Sequence, residues 1–223
     1  SQFALINKEF IKIFNKKNFL SKKIIHRSHD YKKLKSKIKN NYLNSSINDE
    51  NMSFVYTFAK IMKIKDGDFI KTMRSFRGLP HRFEIFLKKR GVTFINDSKA
   101  TSFKATQSAL SSINNIYWIL GGLPKKGDKI NISKLKKNII KCYLIGKNTN
   151  FFKKQLKGKL SISITANLKN SIIQILKDRK IQKTLNSSIL LSPAAASFDQ
   201  FENFEKRGDE FKKISKKYAN KFT

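Results

Sequence analysis

The sequence predicts an α/β chain in two parts: a C-terminal, mainly parallel, doubly wound sheet, and before it the end of a second α/β domain. Three observations predict it. Short apolar runs alternate with amphipathic stretches beyond residue 84, two shorter apolar runs flank a lysine-rich amphipathic stretch at the start, and Gly78-Leu79-Pro80 interrupts the helical periodicity between them. The length of 223 residues suits one large domain or two small ones. With 39% hydrophobic residues, 9 Gly and 3 Pro, the chain can bury a core and is neither fibrous nor low in complexity.

In chain order, residues 3–6 and 23–25 read as strands joined by an amphipathic segment. Residues 51–62 and 66–76 carry apolar side chains at three- and four-residue spacing and read as two helices. Proline removes a donor and biases its predecessor toward extended geometry, so the domain boundary is placed here, giving parts 1–79 and 80–223. Residues 84–87 and 92–96 flank a glycine-containing turn and read as a β-hairpin. Strands follow at 117–120, 143–145, 162–164 and 189–192, with helices at 103–113, 132–139 and 168–177 between them. A closing amphipathic helix over 201–220 presents Phe201, Phe204, Phe211, Ile214 and Tyr218.

A net charge of +33 suggests an anionic partner, but only seven of the 48 basic residues are arginine and the lysines are spread from end to end. That pattern reads as a composition bias of the whole chain more than a dedicated nucleic-acid face. Cys142 stands alone, reads as a buried strand residue, and allows neither an internal disulfide nor a cysteine metal cluster. His26, His29 and His81 are too dispersed for a metal cluster, and the first two read as surface residues. No apolar run approaches the ~20 residues of a membrane span. The opening Ser1-Gln2-Phe3-Ala4 has no initiating Met and reads as a start within a longer protein.

In a wound sheet, ligands bind where strands end, so polar residues there are the candidates. Asp97-Ser98-Lys99-Ala100-Thr101 delivers a carboxylate, an ammonium and two hydroxyls into one turn, where Asp97 or Ser98 has the alternative role of helix cap. Gly121-Gly122-Leu123-Pro124-Lys125 ends a strand in paired glycines that let the backbone pass close to a ligand or another element. The residues from Ser192 to Asp199 follow a buried strand with small side chains, and Ser197 offers a hydroxyl; Ser197 or Asp199 would alternatively cap the next helix. Arg82 is a fork-shaped cation suited to phosphate, or alternatively a partner for Glu84. Neither a Gly-x-x-x-x-Gly-Lys-Ser/Thr loop nor a Gly-x-Ser-x-Gly elbow occurs in the 223 residues.

In this order, Gly78-Leu79-Pro80-His81-Arg82-Phe83-Glu84, Ile95-Asn96-Asp97-Ser98-Lys99-Ala100-Thr101, Leu120-Gly121-Gly122 and the run from Leu191 to Phe201, extended by Asn203-Phe204-Glu205 and Arg207-Gly208, resemble the Mur ligase family in its D-glutamate-adding branch. The resemblance is strongest from about Asn48 onward, and sister ligases adding other residues carry His- or Tyr-containing turns where Asn96-Asp97-Ser98-Lys99 stands. It implies a Rossmann-like C-terminal domain that receives D-glutamate, preceded by the end of a central ATPase domain. It also implies ATP-dependent ligation of D-glutamate to UDP-N-acetylmuramoyl-L-alanine through an acyl phosphate, with ATP and Mg as cofactors, in a cytoplasmic monomer with neither membrane nor specific nucleic-acid partner.

By motif position, the resemblance gives Asn48 and Asn51 to the adenine side of the nucleotide, Arg82 to its phosphates or ribose, and Asp97 to the ribose hydroxyls. Lys99, Thr101, Lys125, Ser197, Phe198 and Phe204 would surround D-glutamate, the two phenylalanines mainly through their backbones. Ala195 stands where the family often has Cys. The family's phosphate loop, magnesium-binding acid and carbamylated lysine belong to a region outside these residues, and no catalytic or metal-binding residue is assigned here. The chain alone is therefore expected neither to hydrolyse ATP nor to ligate. Two alternatives stay open: a lysine-rich nucleic-acid-binding module, suggested by Phe151 and Phe152 beside lysines, and a sister ligase with a different acceptor amino acid.

Overall fold

The computed structural model describes residues 3–17, 21–26, 28–40, 42–43, 48–182 and 186–221. The chain divides into two compact units, Ser1–Gly78 and Leu79–Thr223.

In the first unit, β1 (Phe3–Ile6) pairs in parallel with β2 (Lys22–Ile25), and between them lie a 3-10 turn (Lys8–Phe10) and the short helix α1 (Ile11–Asn15). Three helices follow, α2 (Ser28–Ile38), α3 (Asp49–Ile61) and α4 (Asp66–Ser75). They close on Tyr31, Leu34, Ile38, Met52, Tyr56 and Phe69. Asn40 locks this corner: its side-chain amide donates to Met73 O and Phe76 O, and its Oδ1 accepts from Tyr42 N and Leu43 N. Contrary to the surface position expected for it, His26 is buried and stacks on Phe54 at 4.1 Å. An imidazole covers an aromatic face as well as an apolar ring does, so the surrounding charge gave no warning of burial. The side chain of His29 lies outside the described residues.

The second unit is built on six strands, β3 (Glu84–Lys89), β4 (Val92–Asn96), β5 (Ile116–Gly121), β6 (Ile139–Ile145), β7 (Ile162–Ala166) and β8 (Ser187–Leu191), in the order β3-β4-β8-β5-β6-β7. The hairpin β3-β4 is antiparallel and every other pairing is parallel. Alternate strand residues supply two separate cores, because both faces of the sheet are covered. Ile95, Trp118, Leu120, Cys142, Leu144 and Leu190 face α5 (Phe103–Ser112) and α6 (Thr149–Leu156). Phe94, Tyr117, Ile119, Tyr143, Ile189 and Leu191 face α7 (Leu168–Gln182) and α8 (Phe204–Tyr218). Cys142 is fully buried in β6, and burial pushes its thiol far above the ordinary range. From β4 the chain passes to β5 two places away, winds outward to β6 and β7, and returns with β8 between β4 and β5. In wound sheets such a reversal marks the carboxyl ends of the strands on either side of it, here β4, β8 and β5, as the place where ligands bind.

Two local expectations fail. Residues 132–139 form a turn with a 3-10 segment (Lys136–Asn138), and Ile139 opens β6. Ile130 and Ile132 are both buried in the first core, a two-residue spacing that a helix cannot present on one face, and Asn138 turns inward to donate to Leu110 O at the end of α5. Helix α6, absent from the sequence reading, is short and lysine-filled, and only Phe152 and Leu156 mark its buried side. Phe152 is fully buried and so offers no ring for a base to stack on, while Phe151 is half-buried and packs edge-on against it at 5.1 Å.

Gly121, at the tip of β5, has φ 138, and a Cβ there would lie 2.0 Å from Ile145 O. Gly121→Ala is expected to destabilise the chain by more than about 2 kcal/mol, since both the backbone conformation and the neighbouring strand forbid it. Urea unfolding followed by Trp118 fluorescence checks this, and an unchanged midpoint would contradict the close approach of β5 and β6.

Candidate functional site

The loops at the carboxyl ends of β4, β5, β6 and β8 are laced together. Ala196 N donates to Leu123 O and Leu123 N to Ala196 O, each at 2.9 Å, so the loop after β5 pairs with the loop after β8. Gly122 permits this: with φ 130, a Cβ there would fall 2.1 Å from Ala196 O. Ala194 N donates to Ala100 O, joining the β8 loop to the β4 loop. Asp199 Oδ2 accepts from Lys147 N after β6, where Gly146 has no Cβ to collide with that carboxylate.

Arg207, on the first turns of α8, ties the β4 and β8 loops from beneath. It is 1% exposed; its Nε donates to Ser98 Oγ, and its Nη2 donates to Ser98 O at 2.8 Å and Ala195 O at 3.1 Å. Its Nη1 has no partner among the described residues. Burial draws its pKa down to about 10, against which the Asp199 charge acts, so the group stays charged at neutral pH. Next to it, Gly208 lets α8 approach closely, since a Cβ there would lie 2.2 Å from His81 Nδ1. The sequence reading included Arg207 in a motif but assigned it no role. The available signal was an arginine at the start of a helix in a chain that otherwise uses lysine.

Asp97 is 8% exposed, accepting from Phe83 N at 3.1 Å and from Ser192 Oγ at 2.6 Å. Burial pushes its pKa up to about 6, opposed by the Ser192 hydroxyl, the Phe83 amide and the positive charge of Arg82. Neither Asp97 nor Ser98 caps α5; the cap is Ser102, whose Oγ accepts from Ala105 N. Likewise Asn203, not Ser197 or Asp199, caps α8. Arg82 is exposed between His81 and Phe83, both left-handed at φ 61 and 48. This turn is held by Lys99 N donating to His81 O and by His81 N donating to Glu84 Oε2. Glu84 also accepts from Asn96 Nδ2 and pairs with Lys212 at 3.3 Å.

Lys99 is half-buried with its ammonium 3.9 Å from the centre of the Phe204 ring, which also meets His81 edge-on at 5.9 Å. Phe204 O accepts from Ser98 Oγ. Thr101 is half-buried at the entrance to α5, Ser197 is 2% exposed, Lys125 is exposed two residues beyond Leu123, and Phe198 is 69% exposed. Lys99, Thr101, Lys125, Ser197, Phe198, Phe204, Arg82 and Asp97 thus all belong to the laced carboxyl end of one sheet. Asn48 and Asn51 lie in the first unit, Asn48 donating to Tyr42 O and Asn51 exposed on α3. Among the described residues, no group of three His, Cys, Asp or Glu is placed to hold a metal ion, and no helix is long and apolar enough to cross a membrane. Chemically, the arrangement offers fixed ammonium, hydroxyl and amide donors at a sheet end, which suits a small anionic ligand.

No family model matches the chain. Curated proteins do. The chain is 37% identical over 181 residues to the UDP-N-acetylmuramoylalanine–D-glutamate ligase of Wolbachia sp. subsp. Brugia malayi, covering 81% of this chain and 36% of that protein. It is 34% identical over 184 residues to the ligase of the same name from Rickettsia felis, covering 82% and 41%, and 43% identical over 142 residues to that of Nitrobacter winogradskyi, covering 64% and 30%. The chain therefore spans well under half the length of these relatives. Among solved structures, MurF from Acinetobacter baumannii matches with a TM-score of 0.54 at 13% identity, covering 78% of this chain and 38% of that one. The MurF ligase from Thermotoga maritima, in complex with ADP, matches with a TM-score of 0.50 at 15% identity, covering 76% and 38%. These two likenesses concern the fold alone.

Two outcomes follow from the site. Asp97 is expected to titrate with a midpoint near 6, so over the range from about 4 to 6 the folded chain holds a proton that the unfolded chain has released, and this group's contribution to stability falls as pH rises through that window. Carboxyl-detected NMR checks the midpoint, and Arg82→Gln should move it upward by removing a charge that favours the carboxylate. Arg207→Lys cannot reproduce the fork to Ser98 and Ala195 and is expected to cost about 2–4 kcal/mol in urea unfolding. A change under about 0.5 kcal/mol, the range usual for surface substitutions, would remove the guanidinium from its structural place.

Proposed function

We propose, from the premise that this chain belongs to the family of UDP-N-acetylmuramoylalanine–D-glutamate ligases, that its second unit is the part of such a ligase that receives D-glutamate, and its first unit the end of the central ATPase domain. The observation that carries the reading is the lacing of the β4, β5 and β8 loops by the Leu123–Ala196 pair and the Arg207 guanidinium, which gathers Lys99, Lys125 and Ser197 at one sheet end.

In this reading Lys99 and Lys125 offset the two negative charges of D-glutamate, and Thr101 and Ser197 donate hydroxyl hydrogens to its carboxylates. Phe204 holds the Lys99 ammonium above its ring and thereby restricts where that charge points. Phe198 lends backbone groups. With both carboxylates bound, the amine is left to face the activated acyl carbon, so the unit contributes positioning more than bond-making. Among the described residues, neither Lys99 nor Lys125 forms an ion pair, so both charges remain for a ligand. Arg82, exposed beside the Asp97 carboxylate, fits a nucleotide, the cation toward phosphate and the carboxylate's remaining lone pairs toward ribose hydroxyls. When bound, ATP supplies the phosphoryl group that activates the substrate carboxylate. Magnesium, like the family's phosphate loop, would be held by parts of the complete ligase outside the described residues. The whole reaction, addition of D-glutamate to UDP-N-acetylmuramoyl-L-alanine in peptidoglycan synthesis, belongs to the complete ligase.

D-Glutamate titrated into the isotope-labelled chain is expected to shift amides in 97–101, 121–125 and 195–199, L-glutamate much less. Lys99→Ala with Lys125→Ala should weaken binding by about tenfold or more, the scale of losing charge-assisted bonds, while leaving salt-sensitive binding to DNA unchanged. If D-glutamate shifts none of these loops, or the double variant loses DNA and amino acid equally, the reading fails in favour of a general cationic surface.

A further inference from the structure

His81 has no role in the proposed function, yet it is 7% exposed and left-handed at φ 61, a conformation uncommon outside glycine, asparagine and aspartate. Its backbone is held on both sides: its N–H donates to Glu84 Oε2 and its carbonyl accepts from Lys99 N, each at 3.0 Å. Its ring stands at 81° to the Phe204 ring with the centres 5.9 Å apart, and over the Phe204 ring the Lys99 ammonium rests 3.9 Å from the centre. Phe204 is itself fixed at the start of α8, where its carbonyl accepts from Ser98 Oγ at 2.8 Å. Lys99 is therefore gripped twice through one residue, at its backbone by the His81 carbonyl and at its ammonium by a ring that His81 abuts.

Asn96 sets the orientation of the His81 ring. Asn96 Oδ1 accepts from Ser98 N at 3.2 Å, which directs its Nδ2 toward Glu84 Oε2 and His81 Nδ1, each at 3.0 Å. Turning this amide over would set its oxygen against the Glu84 carboxylate and its NH2 against the Ser98 amide, so the partners fix its assignment. His81 Nδ1 meets an N–H and has to accept, which leaves the proton on Nε2, 3.8 Å from Asp209 Oδ1. Asp209 is shared with Lys212, which also pairs with Glu84. Nor has the ring room to shift toward α8, since even a Cβ on Gly208 would lie 2.2 Å from Nδ1.

We infer that His81 is a positioning residue: its ring, pinned by Asn96 in the Nε2–H form, fixes the Phe204 ring and through it the direction of the Lys99 ammonium. A lysine held in this way gives up its side-chain freedom before a ligand arrives, which favours binding. That the ammonium is aimed at D-glutamate rests on the function proposed above.

The tests use the isotope-labelled 223-residue chain. In the parent at neutral pH, imidazole nitrogen spectra are expected to show His81 bare at Nδ1 and protonated at Nε2, and the Lys99 side-chain resonances are expected to be displaced upfield by the Phe204 ring. His81→Asn keeps a residue tolerant of the left-handed turn and an amide oxygen where Nδ1 stood, but removes the ring. It should return the Lys99 resonances toward their ordinary lysine position and weaken D-glutamate binding by about threefold or more. The Asp97 midpoint, which depends on the Phe83 amide of the same turn, should stay unchanged. A His81 protonated on Nδ1, or a His81→Asn chain with the parental Lys99 displacement and D-glutamate affinity, overturns the positioning role. So does a loss of affinity accompanied by a moved Asp97 midpoint, which is the mark of a collapsed turn. A parent chain whose Lys99 displacement is lost in His81→Asn, but which does not bind D-glutamate, upholds the positioning and sinks the ligand reading alone.

Discussion

The architecture of the second unit depends on a single buried cation. A guanidinium with 1% exposure is expensive to desolvate, and it is retained only where its bonds are numerous and its removal would orphan other groups. Arg207 meets that condition. It satisfies Ser98 O, Ser98 Oγ and Ala195 O, groups on two loops that no strand pairing connects. Without it, among the described residues, the turn after β4 and the loop after β8 would keep the Ala194–Ala100 bond and the contact of Ser192 with Asp97, beside the bond from Asp97 N to Leu191 O where the two strands end. Lysine, with a compact ammonium, cannot reach three acceptors in fixed directions. In a chain with only seven arginines among its 48 basic residues, one of the seven stands where a fork is needed.

Burial of Asp97 follows from the same closure. Its carboxylate is drawn under the His81-Arg82-Phe83 turn, whose left-handed residues hold that turn against the β4 loop. The rise of its pKa to about 6 is thus a consequence of loop packing, moderated by Arg82, whose side chain remains outside. Removing the cation raises the cost of the buried charge without altering the desolvation that caused it, which is why geometry and titration of this pair are inseparable.

The alternation of strands and helices was legible because both sheet faces are buried, so strands such as 117–120 and 189–191 are uniformly apolar and cannot be mistaken for half-exposed ones. The hairpin at 84–96 and the glycine pair at 121–122 were legible for local reasons, a turn and a close approach. What failed was local structure whose burial is set by distant partners. The segment 132–139 has helical spacing, but Ile130 and Ile132 are claimed by the core against α5, and Asn138 by the end of that helix. Helix α6 reveals itself through two residues, Phe152 and Leu156, which lysines obscure. At the sheet end, motif position pointed to single residues, whereas the lacing by Arg207 and the Leu123–Ala196 pair was not legible, since it joins residues that sequence separation conceals.

The distribution of acids resolves the puzzle of the charge. With only 15 Asp and Glu against 48 basic residues, acids are too few to neutralise the surface. In the second unit several accept from backbone amides around the carboxyl end: Asp97 from Phe83, Asp128 from Phe103, Asp199 from Lys147 and Glu84 from His81. A carboxylate that fixes a loop is worth more than one that pairs with an exposed lysine, because surface pairs contribute at most about 1 kcal/mol. Spending scarce acids on loops leaves Lys99 and Lys125 without acidic neighbours at ion-pair distance among the described residues. The ammonium groups left without acidic neighbours at the sheet end therefore follow from where the few acids stand, and the charge that seemed uninformative along the sequence acquires meaning only where loop geometry withholds its counterions.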